Sequence, residues 1–242
     1  MNNNMSMENV QPKTERVKQM FDHIAPTYDR LNHILSLLID KIWRRRVVRI
    51  VSKLGAKQIL DVATGTGDLA IAMAGKIEGS TVCGVDLSPE MLEVARTKVL
   101  KQGLSERITL MEGNAEHLAL DSESVDAVTI AFGIRNFENK KACLAELKRL
   151  IRPGGHLVIL EFSNPTNPLI NCLYRFYSHK ILPWVGGLIS KNRSAYEYLP
   201  ASVDGFPNPN SFAAIIEKAG FRDVTRRSQS FGIAQIYIAQ KV

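Results

Sequence analysis

Apolar residues fall along this chain in two rhythms, and the changes of rhythm mark its elements. From Pro12 to about Leu54 the spacing is helical, with Trp43, Val47, Ile50, Val51 and Leu54 on one face. Lys41, Arg44, Arg45 and Arg49 fall largely on the other, which is read as a solvated face. The middle of the chain then alternates short Ile-, Val- and Leu-rich runs with amphipathic stretches. Strands are predicted over Gln58–Ala63, Thr81–Asp86, Ile108–Glu112, Val125–Phe132 and His156–Phe162. The helices between them are predicted over Asp68–Gly75, Pro89–Gln102 and Asn139–Ile151. Ser88 can cap the second of these, with Pro89 suited to its first position. Gly154-Gly155 is expected to end the third, with Pro153 forbidding continuation. Apolar strands separated by such helices specify an α/β fold, a parallel sheet covered on both faces.

A stretch of different character follows, Asn164–Pro209. It holds six of the ten prolines and four of the six tyrosines, too irregular to be a domain of its own, so it reads as an insertion of short helices and loops. A helix, Ser211–Gly220, and two strands, Asp223–Ser230 and Ala234–Lys241, close the chain; with so little between them the two strands pair antiparallel. The chain thus divides into N-terminal helices over residues 1–54 and a core over residues 55–242 with its insertion at about 164–209, and Met1–Val10 is expected to be disordered.

Composition narrows this only a little. The 242 residues are 45% hydrophobic and 23% charged, enough to bury a full core and too apolar for wholesale disorder. A net charge of +7 favours nucleic acid, an anionic membrane surface or an anionic ligand, or is an ordinary solvated surface. Cys83, Cys143 and Cys172 lie far apart with no histidine at metal-ligand spacing, which points to reduced thiols in the cytoplasm and no metal. Met1–Pro12 is too polar for a signal peptide, and the longest apolar stretch, Ile181–Ile189, is too short to cross a bilayer.

The candidate chemistry begins where the first strand runs into Asp61-Val-Ala-Thr-Gly-Thr-Gly-Asp68 and then a helix. Gly65-x-Gly67-x-x-Ala70 satisfies the dinucleotide fingerprint, and Asp86 lies at the distance that suits a ribose diol. Charge separates NAD from S-adenosylmethionine (SAM) here. NAD places a pyrophosphate over the turn, where Asp61 and Asp68 repel it. SAM carries a sulfonium and an ammonium, which the same carboxylates stabilise. The later strand ends agree with SAM: Asp86 with Leu87 ends the second, and Gly113-Asn114-Ala115-Glu116 ends the third, where Asn114 and the Ala115 amide suit an adenine.

Together with Arg-Pro-Gly-Gly before the fifth strand, this order of motifs resembles class I SAM-dependent methyltransferases. Phe21-Asp-His-Ile-Ala-Pro-Thr-Tyr-Asp-Arg-Leu-Asn32, Asp61–Asp68, Gly113–Glu116 and Phe132-Gly-Ile-Arg-Asn136 are similar to the ubiquinone/menaquinone biosynthesis C-methyltransferases. The resemblance runs through nearly the whole chain from Val17. It implies a Rossmann-like, mostly parallel seven-stranded sheet with an antiparallel closing hairpin, and N-terminal helices covering the cofactor. It also implies SAM as cofactor and a polyprenylated quinol as acceptor, with demethylmenaquinol favoured over the benzoquinol precursor of ubiquinone or another small phenol. The SAM contacts it implies are Thr64, Asp86, Asn114 and Ala115; Asp61, Gly65, Gly67 and Leu87 join them as candidates. Ala131 stands where some relatives carry a serine, which puts a contact from that position in doubt.

Carbon methylation requires the neighbouring ring hydroxyl to ionise, and a phenol has a pKa of about 10. Arg135, at the end of the fourth strand, is the candidate electrostatic stabiliser, unless it pairs with a structural carboxylate; Asn136 would position the ring oxygen or a water. No base stands out among His23, His33, His117, His156 and His179. Tyr28 and Asp29 are candidates for a cover over SAM. Tyr174, Phe176, Tyr177, Trp184, Tyr196 and Tyr198 are candidates to seat the quinol, or else form a satellite core or a dimer contact. Lys41–Arg49 and Lys191–Arg193 could rest on anionic lipid, giving a peripheral contact at the inner face of the membrane. No nucleic-acid module accompanies the positive charge.

Overall fold

The computed structural model describes residues 12–181 and 193–242. The expected disorder of Met1–Val10, and the side chains of Trp184, Lys191–Arg193 and Tyr196, fall outside that description. Two helices lead, α1 (Lys13–Leu35) and α2 (Ile39–Lys53). Strands and helices then alternate: β1 (Gln58–Val62), α3 (Asp68–Lys76), β2 (Thr81–Asp86), α4 (Pro89–Lys101), β3 (Ile108–Glu112), β4 (Val125–Ala131), α5 (Lys140–Leu150) and β5 (Ile151–Phe162). The insertion contributes α6 (Pro168–Phe176), a π turn over Tyr177–Ile181 and α7 (Arg193–Asp204). The chain closes with α8 (Pro209–Lys218), β6 (Arg222–Gln229) and β7 (Ala234–Gln240).

The seven strands form one sheet in the order β3-β2-β1-β4-β5-β7-β6. Five pair parallel, and β7 runs antiparallel between β5 and β6. The central strands are buried on both faces, as a parallel sheet between helix layers requires. Val47, Val51, Met73 and Ala74 pack with Ile59 and Val158 on one side. Leu144, Leu147, Phe212 and Phe221 pack with Leu60 and Val128 on the other. Strand β6 at the edge is nearly all polar and exposed, which discourages pairing with another sheet.

Most predicted elements appear within two residues of their expected ends. Ser88 caps α4, its Oγ accepting from the Met91 amide at 3.1 Å behind Pro89. Two expectations need correction. Helix α5 stops at Leu150, and Ile151 begins β5 five residues before His156. Pro153-Gly154-Gly155 therefore lies inside a strand as a bulge, between the pairs Val125↔Ile151 and Ala127↔His156. A Cβ on Gly155 would sit 2.7 Å from the Asp126 carbonyl oxygen, so the glycine permits a close strand approach as well as a turn. The second correction is Arg44, which turns inward: its side chain pairs with Asp40 and Asp68 and its guanidinium lies over the Phe132 ring at 5.7 Å. Lys41, Arg45 and Arg49 are exposed as expected.

Candidate active site

Two cavities lie at the carboxyl edge of the sheet, where ligands of doubly wound folds bind. The first lies over the β1 turn, between the ends of β2, β3 and β4 and the N-terminal part of α1. Gly65, Asp86, Leu87, Asn114, Ala115 and Asn136 line it, and Val17, Phe21 and Tyr28 of α1 close it from above. The second, of about 300 Å³, lies between α1, α2, the end of β5 and the insertion. Phe21, Tyr28 and Phe132 line both cavities and so form the wall between them.

Three amides of the turn that floors the first cavity are engaged with the protein. The Thr64 amide donates to the Val85 carbonyl at 3.0 Å, Gly65 to Asp86 Oδ2 at 2.7 Å and Gly67 to the Thr64 carbonyl at 2.9 Å. None of these three N–H groups is left for a pyrophosphate, the contact a dinucleotide needs here. Gly67 is left-handed, with φ +79°, at the N-terminus of α3, packed under Ala95 of α4 and away from the cavity. Asp61 and Thr64 stand behind the turn. Both hydroxyls of Thr64 and Thr129 donate to the Asp61 carboxylate, at 2.7 and 2.5 Å. Burial outweighs those two bonds and pushes Asp61 up to about 6.

Asp86 lines the cavity at its floor, with Glu116 and Glu138 on the rim. Burial raises the pKa of Asp86, although the amides of Ser88, Gly65 and Leu87 hold its anion by hydrogen bonds. Three of its four lone-pair sites are thus engaged, which leaves room to accept from a ribose hydroxyl. At the end of β3, Asn114 accepts from the Glu116 amide through its Oδ1 at 3.0 Å, fixing the side chain beside Ala115. A half-buried carboxylate, an amide side chain and a turn with three of its amides already bonded fit the nucleoside and cationic sulfur of SAM.

Strain gathers at the wall. Ala63 and Phe132 end the adjacent strands β1 and β4, and both have left-handed backbones, with φ +53° and +61°. Such residues cost about 1–3 kcal/mol each and persist where surrounding structure holds them, commonly at functional sites. Gly133 follows Phe132 because a Cβ there would fall 2.5 Å from Ala63 Cβ.

The two catalytic candidates stand on opposite sides of this wall. Arg135 lines the second cavity and Asn136 the first. Arg135 is buried and ion-paired: Nη1 donates to Glu161 Oε1 at 2.9 Å and to the Phe132 carbonyl, Nε donates to Ser202 Oγ at 3.2 Å, and the guanidinium lies 5.4 Å from the Phe162 ring. The paired reading of this arginine is therefore realised. Among the described residues nothing bonds its Nη2. Asn136 accepts from the Tyr198 hydroxyl at 3.0 Å, a bond that joins the two cavities.

Of the aromatic candidates in the insertion, Tyr174, Tyr177 and Tyr198 line the second cavity, while Phe176 faces outward. Trp43, Phe132 and Phe162 join them, the last two with ring centroids 4.4 Å apart. Burial raises the pKa of Tyr28, Tyr177 and Tyr198 and pushes Tyr174 up to about 12, so these hydroxyls stay protonated at neutral pH. Asp40 is the carboxylate on this wall. Burial pushes it up, but the Ser36 hydroxyl, Arg44 and His33 outweigh that and hold it low. None of the five histidines lines either cavity. His33 bonds Asp40 at 2.8 Å, and His179 bonds Asp204 at 3.0 Å.

A chain of charges ties the N-terminal helices to the turn. Asp29 bonds Thr66 and, at 2.6 Å, Lys98 of α4; Lys98 also pairs with Asp68, which meets Arg44. Glu161 and the cavity positions of Trp43 and Phe162 were not marked by the sequence reasoning, and Asp68, expected there to stabilise the cofactor's cations, is paired with Lys98 and Arg44 instead. Only Glu161 gave a signal there, a lone carboxylate in an otherwise apolar strand.

A parallel sheet with β7 reversed beside β5, carrying a cavity over the glycine turn at its carboxyl edge, is the framework of a class I SAM-dependent methyltransferase. Solved structures share that framework. A SAM-dependent methyltransferase from Aquifex aeolicus aligns with a TM-score of 0.58 at 22% identity, over 80% of this chain and 88% of that one. A SAM-dependent methyltransferase from Thermotoga maritima, a possible histamine N-methyltransferase, aligns at 0.62 and 17% identity, over 93% and 99%. Sequence narrows the class. A demethylmenaquinone methyltransferase of Bacteroides fragilis is 43% identical, covering 95% of this chain and 94% of its own. A ubiquinone/menaquinone biosynthesis C-methyltransferase of Syntrophotalea carbinolica is 48% identical, covering 91% and 92%. The chain belongs to the ubiE/COQ5 methyltransferase family, whose pattern matches residues 9–241.

Proposed function

We propose that the protein methylates a ring carbon of polyprenylated demethylmenaquinol, giving menaquinol, in the cytoplasm at the membrane face. The relatives from Bacteroides fragilis and Thermus thermophilus carry the name of that activity at 43% and 45% identity. The observation that carries the reading is the shared wall: a cavity holding Asp86 and Asn114 and a larger aromatic cavity meet at Phe21, Tyr28 and Phe132.

Asp86 holds the ribose hydroxyls, Asn114 and the Ala115 backbone meet the adenine, and Gly65 and Leu87 line the bed. Asp61 and Thr64 act through the turn that they brace. Bound there, SAM supplies a methyl group already made electrophilic by its sulfonium. The aromatic rings of Trp43, Phe132 and Phe162 hold the acceptor ring and exclude water from it. Arg135 offers Nη2 to the ring oxygen, and its charge favours the quinolate although Glu161 offsets part of it. Tyr198 fixes Asn136, which orients the oxygen or a water beside it. The protonated tyrosines act as donors. Asp40 is too heavily bonded to serve as a strong base.

Turnover measured side by side on demethylmenaquinol, the benzoquinol precursor of ubiquinone and a simple phenol tests the acceptor. Preference for the naphthoquinol is expected. Equal or greater kcat/KM on the benzoquinol would move the protein to the other activity in the name of its Syntrophotalea relative.

A further inference from the structure

The most apolar exposed surface of the described residues lies beside the acceptor cavity. Two elements make it. At the α1–α2 corner, Leu37 is 76% exposed and Leu38 53%, with Ile34 and Ile42 flanking them. On α6, Leu169, Leu173 and Phe176 are each more than 60% exposed, and their spacing puts them on one stripe. The other face of that helix lines the acceptor cavity through Tyr174. The two elements are joined, because the Tyr177 hydroxyl donates to the Leu35 carbonyl at 2.5 Å. Leu37 and Ser178 at this junction line the cavity as well.

Three properties distinguish this rim from ordinary surface leucines. Leu37 and Leu38 both have left-handed backbones, with φ +51° and +64°. Their amides close the corner on the His33 and Ile34 carbonyls at 2.9 and 3.0 Å, a tight turn that holds two bulky apolar side chains out towards solvent. The exposed charge on the two elements themselves is of one sign, although Asp204 of α7 meets Arg175 at 3.7 Å and His179 at 3.0 Å. From Ile34 to Lys53 the only carboxylate is Asp40, which is buried and paired, and from Ser163 to Ile181 there is none. Lys41, Arg45, Arg175 and Lys180 are all exposed on the same elements. Lastly, no helix among the described residues is long and apolar enough to cross a membrane.

We propose that the α1–α2 corner and the outer stripe of α6 insert into the headgroup boundary of an anionic bilayer, with the acceptor cavity opening beside them. Apolar side chains enter the acyl boundary while lysine and arginine lie at the headgroups, which is how an interfacial surface binds. The prenyl tail then remains in lipid while the quinol ring rises to the Phe132 wall. This rests on the quinol reading given above, and it names a surface different from the Lys41–Arg49 face taken as a whole: Lys41 and Arg45 belong to it, whereas Arg44 faces inward.

The test uses the full chain with phosphatidylcholine vesicles, with and without phosphatidylglycerol, scored by flotation. Leu38→Glu with Phe176→Glu removes apolar insertion at two positions outside both cavities. Wild-type protein is expected to float with anionic vesicles, and the variant at least about tenfold less. Turnover on a short-chain quinol in solution is expected to stay within about twofold in the variant, while turnover on a long-chain quinol embedded in vesicles falls with flotation. Arg45→Gln with Lys180→Gln is expected to lose the dependence on phosphatidylglycerol. Equal flotation of wild type and the Glu variant, or none by either, overturns the proposal. So does light scattering that shows a dimer which the Glu variant splits, because the rim is then a contact between copies. If the wild type floats but methylates no quinol in solution, the substrate reading fails and the docking surface stands.

Discussion

Replacing Asp61 by Asn should make the protein more stable and a worse binder of SAM. The carboxylate is 1% exposed, and burial lifts its pKa from 3.8 to about 6. The lift means that the folded state prefers the protonated form. Asp61 therefore contributes most favourably below about pH 4, and that contribution is lost as pH rises through 6. Two pKa units correspond to about 3 kcal/mol of destabilisation at neutral pH relative to a neutral side chain. Asn does not titrate, and it can keep both partners, accepting from one threonine hydroxyl and donating to the other. Weaker hydrogen bonds return about 1 kcal/mol, leaving a net gain of about 2 kcal/mol at pH 8. Urea unfolding of both proteins at pH 5 and pH 8 checks this. The advantage of the variant should shrink by about 1.4 kcal/mol at pH 5, where wild-type Asp61 is largely protonated. If the charge acts on the cationic cofactor through the turn, as proposed, SAM should bind the variant about tenfold more weakly while S-adenosylhomocysteine, which lacks the sulfonium, changes less. A pH-independent stability difference, or a variant less stable at pH 8, would refute the desolvation argument.

Other sites give further expectations. Arg135→Ala strands the buried Glu161 charge and should lose about 3–5 kcal/mol of stability. Adding Glu161→Gln should restore much of it while turnover stays at least about 100-fold down and SAM affinity is retained, as titration calorimetry with single-turnover assays would reveal. Activity within a few fold in the double variant would make Arg135 structural. Asp86→Asn should weaken SAM binding about 10- to 100-fold with little change in acceptor KM, through loss of charged acceptors for the ribose. Asp29→Ala releases Lys98 and Thr66, and should raise hydrogen exchange in α1 and weaken SAM binding by about 1 kcal/mol; unchanged exchange would mean that packing alone holds the helix.

Much of the fold was legible because burial of both sheet faces writes long apolar runs. The ends of β2 and β3 fall at the predicted residues, Thr81–Asp86 and Ile108–Glu112. The start of β5 was hidden because Pro153-Gly154-Gly155 is equally the signature of a helix stop; only the pairing of Ile151 with Val125 shows that it is a bulge. Site residues split by mechanism. Gly65, Asp86, Leu87, Asn114 and Ala115, placed by strand ends, come together in one cavity, whereas Asp61, Thr64 and Gly67 stand behind it, because a turn has two sides and spacing does not distinguish them. Arg44 looked solvated on its helix, and only the fold brings Asp68 to it. The aromatic wall of the second cavity was least legible. Trp43, Phe132 and Phe162 come from three separate elements, each with the sequence look of ordinary core.

The most direct test of ring-carbon methylation supplies purified protein with SAM carrying a trideuterated methyl group and a short-chain demethylmenaquinone, reduced in one arm and oxidised in the other. A methyltransferase that needs an ionisable ring hydroxyl places the label on the ring carbon of the quinol and leaves the quinone unlabelled. Label on oxygen, equal labelling of the oxidised arm, or no label while SAM still binds would contradict it.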